Sequence, residues 1–247
     1  MALYRSDAFV LHTYKLGEND QIVVLFTRDF GKLRAVARRS HSPRRHAASA
    51  CQPLMLLHVI VFGRPTQNLY RVQSVDILQA LRPLHEDFER LRCGLYVTEL
   101  IDAATHDREP APELFALMHD TLEQLTQTVA PARLLRLFES RVLLLTGYAP
   151  QLECCAHCDR PLQAHECTFS PRLGGLLCTA CAPLGRYTVS VSPATVAVLR
   201  RLMHSETAAV LTCPLADATE LELERLLQTH LTTCLGRALK SYAFLHL

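Results

Sequence analysis

Two hydrophobic periods divide the chain. As far as about residue 80, apolar residues come in short runs separated by turn-forming residues, and beyond Pro83 they recur at three- and four-residue intervals. The first region holds five stretches of strand character: Ala8 to Tyr14, Gln21 to Thr27, Lys32 to Ala37, Pro53 to Phe62 and Leu69 to Leu78. Alternation is clearest in the third, where Leu33, Ala35 and Ala37 oppose Lys32, Arg34 and Val36. Turn residues at Gly17-Glu18-Asn19-Asp20, Asp29-Phe30-Gly31 and Gly63-Arg64-Pro65 separate the runs. Five closely spaced antiparallel strands fit a small barrel of the OB type. An SH3-like barrel has the same strand count and stays open at this point.

The helical region starts with Leu84, Phe88, Leu91 and Leu95 on one expected face. A second helix opens at Pro112-Glu113 and runs through Leu114, Met118, Leu122 and Leu125, and a third opens at Pro131 and stops at Gly147. These three helices are expected to form a small bundle. Further on, Ser192-Pro193 reads as an N-cap and first-turn proline for a helix carrying Val196, Leu199 and Met203. Asp217-Ala218-Thr219-Glu220 has capping-box spacing and opens a last helix through Leu226, Leu227, Leu231 and Leu235.

Between the helical stretches lies Cys155-Ala156-His157-Cys158, followed after nineteen residues by Cys178-Thr179-Ala180-Cys181. This spacing is that of a four-thiolate zinc site, because two tight knuckles supply a full tetrahedron of soft ligands. A closed Zn²⁺ site of this kind is structural, with no position left for a reacting water. Gly174-Gly175 allow the turn that leads into the second knuckle, and Pro161 and Pro171 interrupt helix between the pairs. Cys154 and Cys167 compete for places, but only Cys155 restores the two-residue spacing to Cys158, so both are read as spectators. The expected architecture is α+β and multidomain: an OB-fold barrel over 1–80, a helical domain over 81–150 and 191–247, and an inserted four-cysteine zinc module over 151–190.

Composition narrows the class. Hydrophobic residues make up 49% of the 247 and charged residues 20%, the balance of a globular protein with a sizeable core. No basic segment followed by an apolar one opens the chain, and the greasiest run, Leu54 to Phe62, is interrupted by His58, so neither a signal peptide nor a membrane span is expected. Ten cysteines then point to reduced thiols and metal in the cytoplasm. The net charge of +2 hides an asymmetry, for residues 1–80 carry eleven Lys/Arg against five Asp/Glu. A polyanion is therefore expected at the front.

The basic residues concentrate in Arg28, Lys32, Arg34, Arg38, Arg39, Arg44 and Arg45, with Asp29 as the single acid among them. On a barrel type that binds single strands they are candidates for phosphate contacts, with Tyr14, Phe30 and Tyr70 as candidate base platforms, at least one of which is expected to be barrel core instead. No nucleotide-phosphate loop, nucleophile elbow or zinc-protease helix motif occurs, and no catalytic residue is expected.

Several segments together resemble the bacterial recombination mediators of the RecO family. They are Ala8-Phe9-Val10-Leu11-His12 with Glu18-Asn19-Asp20 and Leu25-Phe26-Thr27…Gly31-Lys32, then Gly94-Leu95-Tyr96-Val97-Thr98-Glu99-Leu100, Gly147-Tyr148-Ala149-Pro150-Gln151-Leu152 leading into the knuckles, and Leu239-Lys240-Ser241. The resemblance implies a protein without a catalytic centre that binds single- and double-stranded DNA and anneals complementary strands. It implies work with RecR and single-stranded-DNA-binding protein (SSB) to load RecA, at the nucleoid. The SSB contact, an acidic and apolar tail, needs an apolar groove edged by cations, and Arg133, Arg136 and Arg141 are its candidates. Two residues depart from the family pattern: Arg38-Arg39 stand where Lys-Gly is common, and Asp159 follows the first knuckle where glycine is usual. Since some family members lack complete cysteine pairs, the metal is expected to brace the fold. Two other readings compete, a zinc-ribbon adaptor that binds protein alone and a zinc hydrolase in which His157 or His165 completes an open site.

Overall fold

The computed structural model describes residues 2–18, 20–38, 50–64, 66–163, 165, 167–185, 187–204, 211–212 and 214–245. Five strands close a barrel in the order β1-β2-β3-β5-β4: β1 Ala2–Leu16, β2 Asp20–Thr27, β3 Gly31–Arg38, β4 Leu56–Gly63 and β5 Tyr70–Gln79. This order is that of an OB fold and decides against the SH3-like alternative. β1 does double duty. Its first half pairs with β4 from Ala2 to Phe9 and its second half with β2 from Ala8 to Leu16, with a bulge between Val10 and His12 where the strand bends from one neighbour to the other. The expected start at Ala8 misses the first half because its partner strand lies some fifty residues away in sequence. β3 and β5 complete the ring through a short parallel seam, Ala35 beside Tyr70 and Val36 beside Arg71.

Alternation puts Val23, Leu25, Leu33, Ala35, Ala37, Leu57, Val59 and Val61 inside the barrel. Tyr70 joins them, almost fully buried and edge-on to Tyr4, so it is core and no base platform. Phe30 is half-buried against the same Tyr4 ring, while Tyr14 remains exposed.

The helices are α1 Arg82–Glu86, α2 Phe88–Ala104, α3 Pro112–Leu125, α4 Pro131–Leu145, α5 Pro193–His204 and α6 Asp217–Leu235. Asp87 ends α1 and caps α2, its carboxylate accepting from the Arg90 N–H. The face of α2 differs from the expected one: Phe88 and Leu95 are exposed, and Cys93, Tyr96, Val97, Leu100 and Ile101 are buried. Both sets have helical spacing, so periodicity by itself could not choose between them. The anticipated residues of α3, Leu114, Met118, Leu122 and Leu125, are all buried, as are Val196, Leu199 and Met203 of α5. At α6 the N-cap is Ala216 with no side-chain cap, so the capping-box expectation fails, and Asp217 and Glu220 lie in the first turn. Glu220 is drawn away by Arg133.

Contacts group the chain into two compact units, Met1–Thr128 with Ser241–Leu247, and Val129–Lys240. In the first, Phe115 of α3 covers the outer barrel face, with ring centres 5.3 Å from Phe9 and 5.8 Å from Phe26. The C-terminal turn Ser241–Phe244 belongs here too, since the Ser241 N–H donates to the nearly buried Glu99 carboxylate at 2.7 Å. The second unit holds α4 to α6 and a small sheet of order β7-β6-β8, made of β6 Thr168–Ser170, β7 Gly175–Leu177 and β8 Val189–Ser190. No helix among the described residues is long and apolar enough to cross a membrane.

Candidate metal centre and nucleic-acid interface

The first knuckle is tied to the strand that precedes the second. The Ala156 N–H donates to Leu176 O at 2.8 Å, and Leu176 N–H to Gln151 O at 2.9 Å. Gly175 makes this approach feasible, because a Cβ there would lie 2.5 Å from Gln151 O. The Sγ atoms of Cys155, Cys158, Cys178 and Cys181 consequently all fall within 4.8 Å of one another. Cys158 and Cys178 Sγ stand 3.8 Å apart, and the edge of a tetrahedron with Zn–S bonds of 2.3 Å is about 3.8 Å. The Cys178 N–H also points at Cys155 Sγ at 3.4 Å, a donor suited to a thiolate. The cluster therefore fits Zn²⁺ with Cys155 in the first place, and Cys154, Cys167, His157 and His165 are outside it. A four-sulfur shell has no open position, which removes the support for a hydrolytic zinc.

Charge within the cluster follows the same geometry. Arg160, hydrogen-bonded to Cys178, is the main reason that thiol falls to about 6. Burial pushes Cys155 up, but N–H donors from Cys178, His157 and Cys158 outweigh it and the thiol is lowered. Asp159, directly after the first knuckle, takes the left-handed conformation at φ 57° and its N–H donates to Cys155 O at 2.9 Å. Aspartate is among the few non-glycine residues that tolerate this region, so the turn after Cys158 forms without glycine.

Of the seven cations expected on DNA, Arg39, Arg44 and Arg45 lie outside the described residues. Lys32 is a correction. Its side chain is buried, and Nζ donates to Asp102 O at 2.7 Å, Asp102 Oδ1 at 2.9 Å and Thr105 O at 3.0 Å, which uses all three protons. Gly31 beside it allows this docking, since a Cβ there would collide with the Glu109 backbone at 2.1 Å. Arg28 is half exposed, 3.4 Å from Asp7 and over the Phe115 ring. Arg34 and Arg38 project from the outer face of β3, Arg34 3.3 Å from Asp107 and Arg38 3.9 Å from Asp20. These surface pairs are weak, because an exposed ion pair is worth under about 1 kcal/mol.

Two of the arginines expected at the SSB tail, Arg133 and Arg136, form part of a ladder between α4 and α6. Arg133 pairs with Glu220, Arg136 lies 3.0 Å from Glu139 and 3.7 Å from Glu224, and Gln228 donates to Glu139 at 2.8 Å. Arg136 is buried and is corrected to a structural residue, whereas Arg133 and the partly exposed Arg141 keep access to the surface. A cavity of about 270 Å³ beside Arg133 is lined by Ala132, Leu215 and Leu221, but also by the acids Asp217, Glu220 and Glu224.

Comparison with known proteins matches both halves of the chain. A family model described as Recombination protein O N terminal covers residues 1–81, and one described as Recombination protein O C terminal covers residues 85–243. A protein of Pelotomaculum thermopropionicum named DNA repair protein RecO is 34% identical over 246 residues, 99% of this chain and 94% of the relative. One of the same name from Anaeromyxobacter sp. (strain K) is 34% identical over 236 residues, 96% of this chain and 93% of its own length. Another, from Bacillus cereus (strain B4264), is 28% identical over 239 residues, 97% and 95% of the two chains. With family models matching residues 1–81 and 85–243 and relatives 34% identical over nearly its whole length, the chain belongs to the Recombination protein O family.

Proposed function

We propose that this protein is a DNA-binding mediator of recombination and repair that anneals complementary strands and works with RecR and SSB to load RecA. Family membership supports the repair and recombination role. The observation that carries the rest is the outer face of β3, where Arg34 and Arg38 project from the barrel and lead into the segment bearing Arg39, Arg44 and Arg45. Annealing brings two polyanions side by side, and arginines that replace condensed counterions reduce their repulsion. The zinc, held by Cys155, Cys158, Cys178 and Cys181, braces the module over 151–190. The four-part domain division belongs to this proposal, as does action at the nucleoid. Arg133 and Arg141 are the remaining candidates for the SSB tail.

With Lys32 removed, six cations of the basic stretch remain. Single-strand binding through about six phosphates has a log-log salt slope near −4. The deciding experiment is annealing of SSB-coated strands by the parent chain and by an Arg38→Ala/Arg39→Ala/Arg44→Ala/Arg45→Ala variant. Loss of annealing with an unchanged melting temperature supports the proposal. No single-strand binding by the parent chain at low salt refutes it and favours the protein-only adaptor.

A further inference from the structure

Around the open end of the barrel, four residues on different strands fall into one row. Leu3 of β1 is the register partner of Phe62 in β4, Phe62 that of Arg71 in β5, and Arg71 that of Val36 in β3. Register partners share a face of the sheet, and Ala35 and Tyr70, one step back, are both in the barrel core, so this row faces outward. Leu3 and Arg71 are exposed, and Phe62 and Val36 are half-buried. The row crosses the β3–β5 seam, where only two residue pairs hold the strands together.

Two hollows open on this row. One of about 510 Å³ includes Leu3, Phe62, Arg71 and Arg38 in its lining, and one of about 520 Å³ includes Phe62, Arg71, Arg64 and Gln67. Phe62, Arg71 and Val36 line both, so the two form a continuous groove, and no carboxylate lines either. Arg38 is shared with the basic stretch, whereas Arg64 and Arg71 are additional cations. Arg28, Lys32, Arg34 and Arg38 each have an acid within reach, whereas no carboxylate pairs with Arg64 or Arg71 among the described residues.

We propose that this seam groove is a single-strand binding path, in which a base lies against Phe62 while Arg64 and Arg71 contact the flanking phosphates. The inference rests on the DNA-binding reading above and adds residues from β4, β5 and the turn between them. Its occupant is argued from complementarity: apolar residues around the half-buried Phe62 ring, with Arg64 and Arg71 in the same lining and no carboxylate, match an unpaired nucleotide, whose base is flat and apolar and whose phosphates are anionic. A duplex has its base faces already stacked and offers Phe62 nothing.

The test is fluorescence anisotropy with labelled oligo(dT) and with a blunt duplex across a salt series, using the full chain. The double variant Arg64→Ala/Arg71→Ala is expected to reduce the magnitude of the single-strand salt slope by about 1.4, for two phosphate contacts. Phe62→Leu is expected to weaken oligo(dT) binding about tenfold at every salt concentration with the slope unchanged, and to leave duplex affinity as it was. Photocrosslinking of the unaltered chain to 5-iododeoxyuridine oligonucleotides gives a readout that needs no substitution, and Phe62 is the expected adduct. If the parent chain binds oligo(dT) but the double variant keeps its slope, or all adducts map outside the groove, the groove is refuted and DNA binding stands. If the parent chain does not bind oligo(dT) at low salt, the DNA-binding reading itself fails.

Discussion

Lys32 Nζ stands 2.9 Å from Asp102 Oδ1 and 2.7 Å from the carbonyl oxygen of the same residue, so a β3 lysine holds the end of a helix seventy positions away. Three acceptors surround the ammonium and solvent barely reaches it. Removing the cation leaves Asp102 and two helix-end carbonyls to be satisfied by other means. Lys32→Met is therefore expected to cost about 3 kcal/mol, measured by urea unfolding, with the single-strand salt slope unchanged. A lower slope with full stability would return Lys32 to the DNA surface.

The same contact carries a pH dependence. Burial pushes the Asp102 carboxyl up, but hydrogen bonds and charges from His12 and Lys32 outweigh it and hold the group well below the usual carboxylate range. A folded value below the unfolded one, about 3.9, means the contribution is fully present above about pH 4 and is lost as pH falls through the folded value. Asp102→Asn should be less stable than the parent at neutral pH, and the gap should narrow steadily below about pH 4. Unfolding midpoints across a pH series check this, and a gap that stays constant into strong acid would exclude it.

Four sulfurs with a 3.8 Å contact between Cys158 and Cys178 should bind Co²⁺ as well as Zn²⁺. The cobalt form is expected to show thiolate charge-transfer bands and intense tetrahedral visible bands. Cys178→Ser should weaken both and lower the melting temperature of the second unit.

Asp159 sits at φ 57° directly after the first knuckle. A β-branched residue is poorly suited there, so Asp159→Val should cost about 1–2 kcal/mol and show as weaker zinc retention against a chelator. Asp159→Gly should equal or exceed the parent in the same competition. Equal zinc retention by Asp159→Val would show that the turn is not held in this conformation.

Arg136 and Glu139 form a buried pair 3.0 Å apart in the ladder between α4 and α6. Replacing one partner of such a pair is far more damaging than replacing both, so Arg136→Met should cost about 3–5 kcal/mol and Arg136→Met/Glu139→Met considerably less. A double-mutant cycle by thermal unfolding measures the difference. Charge reversal at Arg136 consequently reports on the fold before it reports on any bound peptide.

Sequence alone was enough for much that near neighbours set, though not for the α6 cap or the inner face of α2. The knuckles were legible because each places two thiols within four residues and the spacing chooses Cys155 over Cys154, and the barrel strands because alternation is written residue by residue. The inner faces of α3 and α5 followed in the same way. Tertiary structure decided what depends on distant partners. It paired the first half of β1 with β4, made Tyr70 core through Tyr4, and turned Lys32 and Arg136 from expected ligand contacts into buried ties. It also brought Leu3, Phe62, Arg71 and Val36 into one row although each comes from a different strand. The reason is physical: a lysine or arginine has the same charge wherever it lies in the chain, and only the fold determines whether an acid or water surrounds it.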